Sequence, residues 1–137
     1  MSYKFEKLEV WQLALEYSDL IYELAEQLPT SENYNLKSQI TRAANSIALN
    51  IAEGSTSQSD AEQARFLSLA LRSLVETVAC QHLINRRSYL AETEKLRETY
   101  RTSETLFAKI QALRRSLKSN QIRDDQVDYE TDDEIPF

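Results

Sequence analysis

Apolar residues recur at steps of three and four along most of this chain, and the pattern divides into four helical segments. In the first, over residues 7–28, Trp11, Ala14, Ser18, Ile21, Ala25 and Leu28 keep one face while Leu15 and Tyr22 widen it, and Pro29 closes the run. A short turn, TSEN, offers Ser31 and Asn33 as caps for a second helix over 34–53. The third begins at a capping box, Ser59-x-x-Glu62, and is predicted over 60–87. It carries two apolar stripes, one of Ala64, Leu67, Leu71, Leu74 and Val78, the other of Phe66, Ala70, Ser73, Thr77, Cys80 and Ile84. So wide an apolar arc implies contact with more than one neighbour. Neither Gly nor Pro separates the third segment from the fourth, but the phase shifts around Ser88 to Ala91, which predicts a turn there. The fourth helix, over 92–118, presents Leu96, Tyr100, Ser103, Phe107, Ile110, Leu113 and Leu117. Short connections between four helices predict an all-α, antiparallel up-down-up-down bundle over residues 1–119, followed by a disordered acidic tail over 120–137.

The second helix is the most informative. Leu36, Ile40, Ala43, Ile47 and Ile51 form its apolar face, and Gln39, Arg42, Ser46, Asn50 and Glu53 recur at the same steps along another. Gly54 then reads as a helix stop in the left-handed conformation. Arg42 and Glu53 stand three turns apart, too far to pair with each other, so each needs a partner from elsewhere. Arg72 and Glu76 on the third helix are candidates. Together Gln39, Arg42, Ser46, Asn50, Glu53, Arg72 and Glu76 read as a structural polar network between helices or between subunits, or as a ligand-facing surface.

Composition supports the helical class and narrows the rest. A chain of 137 residues with one Gly and two Pro suits one domain without hairpins or bulges. No apolar run approaches the ~18 residues of a membrane span, and a lone cysteine fits a reducing compartment, so a soluble, cytoplasmic protein without membrane contact is expected. Charge divides sharply. Residues 1–120 hold 15 Lys+Arg and 15 Asp+Glu, whereas 121–137 hold Arg123 against seven acids, so the net charge of −6 belongs to the tail.

Catalytic chemistry finds little support. A di-metal bundle site calls for Glu-x-x-His, but Ala79 stands three residues before His82, the single histidine. Cys80 lies in an apolar stripe without a basic neighbour, and one glycine cannot build a phosphate loop. No enzyme activity, cofactor or metal is expected.

The run R-A-A-x-S-I-x-x-N-I-A-E-G at residues 42–54 resembles the signature of small four-helix-bundle proteins encoded in intervening sequences of bacterial 23S ribosomal RNA genes. The likeness continues through Phe5, Leu8, Val10, Trp11 and Ala14, and through Phe66, Ala70, Ser73, Leu74 and Glu76, covering residues 3–118. It implies a homo-oligomer, a ring of five bundles around a channel. More distantly, the chain is similar to accessory variability proteins of diversity-generating retroelements, which implies RNA or other nucleic acid as a ligand. Ala48 stands where relatives commonly carry Pro, which predicts a straighter second helix, and Arg72 where they commonly carry Gly.

Two function classes follow. One is a non-enzymatic oligomeric scaffold or adaptor acting through protein partners, with Tyr129, Ile135, Pro136 and Phe137 as a docking element in the tail. The other is a nucleic-acid-binding accessory protein using Arg86, Arg87, Arg97 and Arg101 at one end of the bundle, or Arg114, Arg115 and Lys118 at the other. Arg86 and Arg87 also close the third helix, and Arg114, Arg115 and Lys118 the fourth, where cations suit the helix dipole. The acidic tail leaves beside Arg114, Arg115 and Lys118, so its folding back on that end is expected to compete with phosphates.

Overall fold

The computed structural model describes residues 1–117 and 134–137. Its helices are α1 (Glu9–Glu26), α2 (Leu36–Ser55), α3 (Asp60–Arg86) and α4 (Glu94–Leu117), with single 3-10 turns at Lys4–Lys7 and Thr30–Glu32. The all-α expectation holds, and no strand occurs among the described residues. None of these helices is long and apolar enough to cross a membrane. The predicted tail disorder falls, but for residues 134–137, outside the described residues, as do Lys118 and Tyr129.

Cross-helix contacts give the antiparallel register. Lys109 pairs with Glu9 at 2.9 Å and Lys95 with Glu23 at 2.9 Å, so fourteen residues forward along α1 correspond to fourteen back along α4. Between α3 and α4, Arg114 Nε donates to Ser68 Oγ, and fourteen residues further along α3 His82 meets Tyr100. A fourteen-residue repeat is two heptads, the spacing that keeps one seam facing its partner in a left-handed bundle. These surface ion pairs report register more than they stabilise it.

Of the expected first-helix face Ala14, Ile21, Ala25 and, just past α1, Leu28 are buried, but Trp11 and Ser18 are only half-buried and Val10, Tyr17 and Leu24 complete the stripe instead. Leu15 and Tyr22, expected to widen the apolar side, are each 43% exposed. The phase differs because Tyr17 buries a polar-tipped ring completely. Its hydroxyl lies 2.7 Å from Thr77 Oγ1 and accepts a 2.8 Å bond from Gln81 Nε2, spanning the core from α1 to α3. Burial pushes the Tyr17 phenol above its ordinary range, so it stays neutral.

Three local devices differ from expectation. Ser31 and Asn33 do not cap α2; Glu32 does, accepting bonds from Leu36 N–H at 3.2 Å and Asn35 Nδ2 at 2.8 Å. Gly54 sits inside α2 with negative φ, so it is not a left-handed stop. A Cβ at Gly54 would lie 2.9 Å from Phe66 Cβ, and the glycine therefore sets the close approach of α2 and α3. The α3–α4 turn falls in the predicted region without glycine because Ser88 adopts φ 55°. Ser88 N–H donates to Asn85 O and Tyr89 N–H to Ile84 O, the two bonds of a Schellman motif. Ser59 opens α3 as expected, its hydroxyl accepting from Glu62 N–H at 3.1 Å. Ala48 is buried within an uninterrupted α2.

Candidate docking surfaces

Because α2 turns Ile40, Ala43, Ile47 and Ile51 inward, the residues at intervening steps line its outer side. Ser38, Arg42, Asn45, Leu49 and Glu53 border an open groove of about 550 Å³. Leu49 is 58% exposed within it, and Asn45 Nδ2 donates to the Tyr22 hydroxyl at 2.9 Å, extending the surface toward α1.

Of the seven residues assigned to a polar network, Ser46 bonds a neighbouring helix and Asn50 bonds Ser46 within α2. Ser46 Oγ lies 2.8 Å from Ser73 Oγ, and Asn50 Nδ2 donates to Ser46 O at 2.8 Å and Ser46 Oγ at 3.1 Å. Arg42 donates within its own helix to Ser38 Oγ at 3.3 Å. Gln39, Arg42, Glu53, Arg72 and Glu76 are exposed. Among the described residues, ion pairs include Lys37–Glu26, Lys95–Glu23, Lys95–Glu98 and Lys109–Glu9, and Arg42, Glu53, Arg72 and Glu76 belong to none of these four. Within one chain the network reduces to a serine–serine–asparagine cluster.

A second surface lies across α3 and α4. The Phe137 ring stands edge-on to His82, with centroids 4.9 Å apart and planes at 65°, and to Tyr100, at 5.2 Å and 81°. His82 and Tyr100 also meet edge to face at 6.5 Å. Arg97 Nη1 donates to the main-chain oxygen of Phe137. Ile135 and Phe137 are half-buried while Glu134 and Pro136 are exposed, the alternation of an extended segment laid on a surface. The end of the tail is thus seated beside the start of α4, whereas the sequence pointed to Arg114 and Arg115, ~25 Å away along the helix. In the sequence Tyr100 stands on the apolar face of the fourth helix, and His82 is only a histidine without a metal-site partner. The signal for their role was the spacing of Ile135 and Phe137, which says that something is docked without saying where.

The cations separate accordingly. Arg86, Arg87 and Arg101 are exposed around the α3–α4 turn, and Arg97 among them is half-buried by its contact with Phe137. At the other end Arg114 is held by Ser68 Oγ at 2.8 Å and Gln111 Oε1 at 3.2 Å, while Arg115 is exposed. Cys80 is buried, and desolvation first, then the Glu76 charge, pushes its thiol up from its ordinary value. A thiol so placed is a poor nucleophile.

A family model described as 23S rRNA-intervening sequence protein matches residues 6–119. No curated protein matches the chain. Among solved structures, the chain is similar to a protein of unknown function from the S23 ribosomal protein family of Bacteroides thetaiotaomicron. That crystal structure is matched with 25% identity and a TM-score of 0.70, over 77% of this chain and 95% of the other.

Proposed function

The chain belongs to the 23S rRNA-intervening sequence protein family, and we propose that it is a non-enzymatic scaffold in which several copies join through the outer face of α2 and act through protein partners. The observation that carries this reading is Leu49, 58% exposed in a groove bordered by Arg42 and Glu53. An aliphatic side chain flanked by opposite charges is an expected core for an interface with a second copy. Arg42 and Glu53 are ~16 Å apart along the helix and do not satisfy each other. Exposed Arg72 and Glu76 on α3 supply both complementary signs from an adjoining copy. A contact between two different faces of one chain is heterologous, and such contacts give a ring where the rotation between copies closes. We take five copies as the ring, the number the family resemblance implies.

The test is Leu49→Glu, with molar mass read by light scattering. The expected result is a drop from the assembly to a single copy, with helicity unchanged by circular dichroism. An assembly of undiminished mass overturns the α2 interface.

A second reading, binding of structured RNA, draws support from Arg86, Arg87 and Arg101 exposed around one turn. It requires affinity that falls steeply with salt. Against it stand a bundle of zero net charge and the engagement of Arg97 by Phe137. A salt series that shows no RNA binding at low ionic strength removes this reading and leaves the scaffold.

A further inference from the structure

The seat of Phe137 has the parts of a recognition site. Two rings on different helices, His82 of α3 and Tyr100 of α4, form a corner that receives a third ring edge-on. Such aromatic pairs contribute beyond the area they bury. Arg97, one turn before Tyr100, supplies a charge-assisted donor to the main chain of the seated segment. The donor reads backbone and the corner reads an aromatic side chain, a division of labour typical of extended-peptide recognition. Pro136 between the two half-buried residues fixes φ and lowers the ordering entropy of the segment. In the sequence Asp132, Asp133 and Glu134 precede Ile135, and Arg86, Arg87 and Arg101 are exposed around the α3–α4 turn, so the signs are complementary as well.

We propose that this corner is a peptide-binding site for an acidic segment carrying aliphatic–proline–phenylalanine, occupied by the chain's own residues 134–137 and exchangeable for the same segment of a second copy. Reach permits both arrangements. From Tyr100 to Leu117 the helix spans ~26 Å, whereas the sixteen residues 118–133 reach at most ~55 Å. The surplus is enough to carry the segment to an adjoining bundle. In its own seat the segment also occupies Arg97, so the tethered copy acts as an inhibitor of whatever else approaches that end. None of this depends on the α2 interface.

The experiment uses the full chain and a fluorescent synthetic peptide of residues 127–137, with binding read by anisotropy. Phe137→Ala vacates the seat, and that chain is expected to bind the peptide. Wild type is expected to bind it roughly 10- to 100-fold more weakly, because the tethered segment competes at an effective concentration near millimolar. Adding Arg97→Ala to the vacated chain is expected to weaken binding at least about 10-fold, the loss of one charge-assisted bond, and adding Tyr100→Leu instead about 2- to 10-fold, the loss of one ring contact, with helicity checked by circular dichroism. A peptide with Phe137→Ala is expected not to bind. Equal binding by wild type and the vacated chain overturns the proposal, as does no binding by either. Light scattering of the same samples reports the α2 assembly separately, so failure here leaves the scaffold reading standing.

Discussion

The Tyr89 hydroxyl donates to Glu32 Oε1 at 2.7 Å and ties the α3–α4 turn to the α1–α2 turn at the same end of the bundle. The other oxygen of that carboxylate caps α2, so one buried side chain fixes two connections. The Tyr89 bond first, then the Leu36 N–H, holds Glu32 below the usual carboxylate range, and Tyr89 is correspondingly raised.

A depressed carboxylate contributes stability that is present above its unfolded pKa and lost as pH falls through the folded value. Tyr89→Phe is therefore expected to lower the urea midpoint at pH 7, with the gap to wild type narrowing as pH falls below the ordinary glutamate range and through the lowered value of Glu32. A gap that stays constant from pH 7 to 3 contradicts the role given to the ionised carboxylate.

Ser88 holds φ 55° where glycine carries no steric cost. Ser88→Gly is expected to stabilise the protein by about 0.5–1 kcal/mol, since relief of left-handed strain exceeds the added freedom of the unfolded chain. Thermal denaturation checks it, and a lower Tm contradicts the account.

Gly54→Ala sets two effects against each other. Alanine gains about 1 kcal/mol in a helix interior, but its Cβ would meet Phe66 Cβ at 2.9 Å. A clash with an atom this near the α3 backbone cannot be relieved by a rotamer change, and overpacking costs about 1–3 kcal/mol. The expected outcome is a net loss of about 1 kcal/mol in denaturant unfolding; a gain in stability would show that the helices separate freely.

In the core, Tyr17→Phe removes the shared partner of Thr77 and Gln81 and is expected to cost about 1–3 kcal/mol. Gln81→Met is expected to stay within about 1 kcal/mol of wild type, because Gln81 Oε1 is buried without a partner and its loss offsets that of the amide bond. If Gln81→Met costs more than Tyr17→Phe, the network is organised around Gln81 instead.

Helix number, order and the Ser59 start were legible because each rests on local periodicity or a local cap. The α1 phase was legible only in part: Ala14, Ile21 and Ala25 are buried as read, but Tyr17 and Tyr22 are chemically alike, and only packing reveals which ring is inside. Gly54 was misread because a close approach and a left-handed turn favour the same residue, and the distinction lies in Phe66, twelve residues on. The seat joins Phe137 to residues 37 to 55 positions away through no shared period, so the sequence announced a docking segment and not its receptor.

The proposed assembly is a closed ring of bundles joined through α2. Light scattering of the wild-type chain over a hundredfold concentration range tests it most directly, because a ring has one mass and a filament does not. The expected result is a constant mass of about 80 kDa, five copies of a 15.9 kDa chain. A constant 15.9 kDa, or a mass that grows without limit as concentration rises, would contradict the claim.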